Sequence, residues 1–196
     1  MKTLKITSLL VLFVLTFSGC NTNDDDFYNT EYISIPNLVQ IQTQSTYSVG
    51  DLLYVSSTIN RLQTEPNQTT LLDLRKTTGN ADSFKFSYML EKQISATQWE
   101  LVDASPANRV VLFGQFVTGS FYEASALFNS TSDNYKFSAG IKLTNTGNYR
   151  LSFGYNSSST NQAELNSNSQ NGAIYLTIFS TMNNLDSGGY YNFTVN

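Results

Sequence analysis

The chain has 196 residues, a formal net charge of −4, only 13% charged residues, one cysteine and no histidine. The missing imidazole removes Ser-His-Asp and Cys-His machinery and His-ligated zinc, and an acidic balance without any Lys/Arg cluster argues against a nucleic-acid partner. A lone cysteine excludes an intrachain disulfide, and the chain is long enough to bury one core without one.

Residues 1–20 read MKTLKITSLLVLFVLTFSGC. Lys2 and Lys5 form a positive start, an apolar stretch follows, and small residues close it, which is a secretory signal pattern too short for a comfortable membrane span. Phe17-Ser18-Gly19-Cys20 resembles a bacterial lipobox, with Phe17 where Leu is usual. The resemblance implies cleavage between Gly19 and Cys20 and acyl chains, palmitate among them, on Cys20. Each buried methylene contributes about 0.8 kcal/mol, so two or three chains anchor stably. Cleavage removes Lys2 and Lys5 and no acid, taking the charge from −4 to −6. Such a chain has no electrostatic attraction to anionic lipid, so the covalent lipid is its expected hold on a membrane.

Residues 21–29 read NTNDDDFYN. Asp24, Asp25 and Asp26 form a solvated tether, and residues 17–26 together resemble the acidic export signal of surface lipoproteins of the Bacteroidota; a plain linker is the competing reading. Three consecutive carboxylates on a floppy segment do not converge as Ca²⁺ requires, so no metal is assigned and no cofactor is expected beyond the lipid on Cys20. The organisation expected is a signal peptide (1–19), a lipidated cysteine with an acidic linker (20–30), and one β domain (31–196).

Within that domain, period-two alternation predicts strands at 39–44, 52–59, 84–90, 98–102, 110–117, 135–143, 149–155, 174–178 and 191–195. Leu52, Val55, Ile59 and Leu62 also fit a helical stripe, and 125–129 fits a helical turn. Residues 63–70 and 156–172 read as loops, the second unusually long for a structureless connection. Eight to ten short strands predict a single all-β antiparallel sandwich.

The segment LTNTGNYRL, 143–151, resembles the immunoglobulin-fold signature Asp-x-Gly-x-Tyr-x-Cys, with Gly147 and Tyr149 in place, Asn145 for the aspartate and Leu151 for the cysteine. The resemblance implies an immunoglobulin-like sandwich, a corner hydrogen bond from the Tyr149 hydroxyl to nearby backbone, apolar packing by Leu151, and Trp99 as the buried tryptophan. A hairpin turn entering an ordinary aromatic strand is the other reading.

No phosphate-binding loop or dinucleotide fingerprint occurs. A carboxylate pair could cleave a glycosidic bond, but spacing singles out no pair, so no catalytic residue is assigned. Exposed aromatics among amides make sugar platforms; the candidates are Trp99, Tyr122, Tyr155, Tyr190 and Tyr191, with Asn156 and Asn192 nearby, against the competing use of aromatics in cores and cross-strand pairs. Asp186-Ser187-Gly188-Gly189 reads as a β-turn in preference to a Ca²⁺ loop. The expectation is a non-enzymatic binding or adhesion lipoprotein, displayed at the cell surface on the outer membrane, meeting a glycan or a surface protein. The alternatives are an accessory subunit of an outer-membrane complex and a carboxylate-dependent glycan hydrolase. Exposed aromatics would favour the first, a large apolar patch the second, and a carboxylate pair in a cleft the third.

Overall fold

The computed structural model describes residues 29–65, 68–153, 161–170 and 173–196. The signal peptide, Gly19, Cys20, Asp24–Asp26 and Tyr155 lie outside the described residues. Among the described residues the regular structure is nearly all strand: β1 (Thr30–Ser34), β2 (Val39–Ile41), β3 (Leu52–Asn60), β4 (Leu62–Gln63), β5 (Leu72–Asp73), β6 (Ser83–Gln93), β7 (Trp99–Leu101), β8 (Arg109–Phe113), β9 (Gln115–Thr118), β10 (Tyr122–Asn129), β11 (Asn134–Lys142), β12 (Gly147–Ser152), β13 (Gln162–Ser167), β14 (Tyr175–Thr181) and β15 (Tyr191–Val195). A short α-helix, α1 (Leu74–Thr77), is N-capped by Asp73, whose carboxylate accepts from Lys76 N at 3.1 Å.

The spine is β6. Its N-terminal half lies between β10 and β13, and its C-terminal half pairs with β7 and β12, which in turn pairs with β15. The main sheet runs β1-β14-β13-β6-β10-β11-β3-β2 and curls upon itself into an all-β, sandwich-like body. Its inward faces follow the alternation of the sequence: Phe84, Phe86, Tyr88 and Leu90 on β6, Tyr135, Phe137, Ala139 and Ile141 on β11, Leu53, Val55 and Ile59 on β3. Across the core, Phe84 meets Tyr135 and Phe86 meets Phe137 edge-to-face, with ring centroids 4.9 and 5.4 Å apart. Truncating such a ring to alanine costs about 3–5 kcal/mol.

Buried tyrosines tie this core to loops. Tyr135 donates to Ala81 O at 3.0 Å, Tyr47 to Gln42 O at 3.2 Å, Tyr122 to Val102 O, and Tyr149 to Asn145 O at 2.7 Å. The last is the corner bond that the Asn145-x-Gly147-x-Tyr149 motif implies. Gly147 in that motif has φ +132°, a conformation that a side chain would strain.

The sheet forks where β10 and β11 part. They pair with each other only at 127–129 and 134–136; beyond that β9 lines β10 and β8 lines β11. The chain reverses between β8 and β9 at Gly114, in the crotch of the fork, with φ +77°. A Cβ there would lie 2.3 Å from Ser125 O. Only glycine fits both the dihedral and the space.

Several expectations are corrected. The 110–117 strand is two strands broken at Gly114. Residues 125–129 are not a helical turn but the end of β10, held between β6, β9 and β11. The 52–62 stripe is strand β3 as far as Asn60, not helix. The 156–172 loop contains β13, paired to both β14 and β6. Fifteen strands are described instead of eight to ten, and β1 pairs with β14 in parallel. Trp99 is not a buried core residue; it is half-exposed on β7, facing outward.

Candidate functional site

The β7-β6-β12-β15 sheet turns Leu90, Tyr149, Leu151, Phe193 and Val195 to the core. Alternation therefore sends the intervening polar residues outward. Register places them in two rows. One row runs Trp99, Gln93, Asn148, Thr194, and the other Leu101, Glu91, Arg150, Asn192.

Arg150 is the centre of the second row. Its Nε lies 2.7 Å from Glu91 Oε2, and both side chains are largely covered, at 22% and 16% exposure. Its guanidinium carbon sits 4.3 Å from the Trp99 ring centroid and 4.5 Å from that of Tyr190. The cation is thus clamped between two aromatic rings and neutralised by one carboxylate.

The first row is a relay of neutral groups. Thr194 Oγ1 donates to Asn148 Oδ1 at 3.1 Å, and Asn148 Nδ2 donates to Gln93 Oε1 at 3.1 Å. With Trp99 and Asn192 these residues line an open cleft of about 320 Å³. Asn192 is oriented by donating to Asp186 Oδ2 at 2.6 Å, while Asp186 Oδ1 accepts from the backbone N–H of Gly188 and Tyr190. These donors hold the Asp186 carboxyl below its ordinary value, the Tyr190 N–H first among them. The 186–189 segment is a turn closed by Gly189 N donating to Asp186 O at 3.0 Å.

Of the aromatics expected on a platform, the fold brings Trp99 and Tyr190 together around Arg150. Tyr191 is turned to the other face: its hydroxyl is 3.2 Å from that of Tyr47 and its ring stacks on Phe193. Tyr122 is buried. Sequence reading missed Arg150, Glu91, Gln93, Asn148 and Thr194. Their signal was present as the off-phase polar residues within β6, β12 and β15.

Two other features bear on function. Glu100 and Asp103 share a small cleft of about 200 Å³ beside Thr144 and Asn145. Asp103 accepts from Ser105 N, Ser105 Oγ and Asn108 Nδ2, at 2.9, 3.0 and 2.8 Å. Those donors, the Ser105 N–H first, lower its pKa, opposite to the shift a general acid needs. Among the described residues no group of three or more Cys, Asp and Glu could hold a metal ion. On the far flank, Val110, Val111, Leu112, Phe113 and Val117 of β8 and β9 are 39–58% exposed, an apolar run on the two strands that fill the fork. No known protein family matches this chain, and no curated protein or solved structure was found to be similar to it.

Proposed function

We propose that this chain is a non-enzymatic binding module of the bacterial cell envelope, held at the outer membrane by lipid on Cys20 and displayed beyond it on the Asp24–Asp26 tether. Its ligand-binding surface is the outer face of the β7-β6-β12-β15 sheet, and its ligand is a glycan. The observation that carries this reading is the Trp99–Arg150–Tyr190 stack set beside a line of amide and hydroxyl groups, the combination of apolar ring and hydrogen-bonding groups that sugars require. Mass spectrometry of the native N-terminal peptide tests the anchor: acyl chains on Cys20 are expected, and an unmodified thiol removes the placement. Cys20→Ala is expected to release a folded protein from membranes. A glycan array probed with the detergent-solubilised lipoprotein tests the ligand, with Trp99→Ala losing the signal.

A second reading, an accessory subunit packed on an outer-membrane complex, draws on the apolar β8–β9 flank. Monomeric proteins rarely leave more than a few hundred Å² of contiguous apolar surface uncovered.

A further inference from the structure

We infer that the outer sheet face binds an uncharged polysaccharide chain along its length, lying across the strands from Trp99 through Gln93 and Asn148 to Thr194. This rests on the glycan reading above and deepens it by naming the ligand class and its direction.

The first argument is charge. A site selecting uronic or other acidic sugars needs a cation free to meet a carboxylate. The cation central to this face, Arg150, is already engaged by Glu91 at 2.7 Å and enclosed by Trp99 and Tyr190. A ligand carboxylate would have to displace Glu91 and would then lie against it, with like charges adjacent. What remains for a ligand in the first row is neutral: carboxamides, a hydroxyl and an indole.

The second argument is geometry. Neighbouring strands are about 4.8 Å apart. The four residues of the first row, one per strand, therefore present polar groups at regular intervals over a span of about 15 Å. Asn148 commits one amide hydrogen to Gln93 and keeps a second donor, while the hydroxyl of Thr194 retains acceptor capacity. The relay fixes each group's orientation before a ligand arrives, which lowers the ordering cost of binding. A row of this kind, along an open cleft, suits a repeating chain of hydroxyl-bearing units, whereas an end-recognising site would be a closed pocket.

Affinity electrophoresis and calorimetry on the detergent-solubilised full-length lipoprotein test this, using neutral polysaccharides (mannan, xylan, dextran, mixed-linkage glucan) against uronate polymers (polygalacturonate, alginate). At least one neutral polymer is expected to bind, with less than a threefold change in affinity between 50 and 500 mM NaCl. Its oligomers are expected to gain affinity from two to four sugar units, and Thr194→Val to flatten that gain. Asn148→Ala is expected to weaken binding tenfold or more. Glu91→Gln, which frees the Arg150 charge, is expected to raise uronate binding relative to neutral binding several-fold. Preference of the wild type for uronates, or a tenfold loss of affinity across that salt range, would overturn the neutral-chain inference and leave the glycan reading standing. Full affinity already at the disaccharide would overturn the lengthwise pose. Binding to none of these polymers, with no signal on the glycan array, would remove both.

Discussion

Arg150 and Glu91 stand opposite each other in the β12–β6 register, 59 positions apart in sequence, and their side chains close to 2.7 Å on the outer face of the sheet. The pair is covered by Trp99 and Tyr190, so water screens it less than an exposed pair. Removing either partner leaves the other charge poorly solvated. Glu91→Ala is expected to cost about 1–3 kcal/mol in urea unfolding. Arg150→Lys retains the charge but loses the flat guanidinium that lies between the rings. It should destabilise measurably and change the near-ultraviolet signal of Trp99. A silent Arg150→Lys would mean that the stack contributes nothing.

Tyr149→Phe removes only the hydroxyl that donates to Asn145 O and leaves that carbonyl without this donor. A loss of about 1–2 kcal/mol is expected by denaturant titration. Leu151, next inward on the same strand, serves as a control for packing loss: Leu151→Ala should cost about 2–5 kcal/mol, as for a fully buried leucine.

Alkaline pH is expected to unfold the domain through its buried tyrosines. Burial first of all raises the Tyr135 hydroxyl from 10.0 to about 12, and pushes those of Tyr47, Tyr122 and Tyr88 up as well. Among the described residues the Tyr88 hydroxyl has no hydrogen-bond partner. A group whose folded pKa exceeds its unfolded one adds stability that is complete below the unfolded value and lost as pH rises through the folded one. Stability should therefore hold to about pH 10 and decline between pH 10 and 12. Tyrosinate absorbance should rise together with unfolding. Substantial ionisation in a still-folded protein would contradict this.

Gly114→Ala places a methyl 2.3 Å from Ser125 O on a residue at φ +77°. The dihedral alone costs about 1–2 kcal/mol. With the clash, a loss of at least about 3 kcal/mol is expected in urea titration. The glycine cannot be exchanged without moving β8 and β9 out of the fork.

Leu112→Lys tests the apolar flank. The side chain is exposed, so the change in stability should stay within about 0.5 kcal/mol. A charge on an edge strand opposes strand-to-strand association, and light scattering of concentrated protein should show less self-association than the wild type. Loss of a membrane partner that co-purifies with the wild type would favour the accessory-subunit reading.

The strands with strict alternation were legible because one face of each is buried: Phe84 to Leu90, Tyr135 to Ile141 and Tyr191 to Val195 announce themselves. β10 was not, because Glu123, Ala124, Ala126 and Leu127 favour helix, and pairing along both edges overrides that weak preference. β13 was hidden among Asn and Ser, with only Ala163 and Leu165 to mark its inner face. The break at Gly114 could not be seen, since one glycine in an apolar run reads equally well as continuous strand. At the site, aromatic residues drew attention to Trp99 and Tyr190. The arginine between them depends on the register of strands far apart in the chain, which no local pattern encodes.

The first strand of the domain completes the edge beside β14, where Thr30 lies opposite Tyr175, and the next segment crosses at once to the other end of the sheet, where β2 meets β3. The residues of β1 can find their partner strand only after nearly the whole polypeptide is available. Non-local pairing of this kind slows folding, because loop-closure entropy must be overcome before its contacts form. In a chain synthesised N-terminus first, that pairing waits until β14 has been made. Until then the earliest of the described strands lacks the neighbour that β14 supplies.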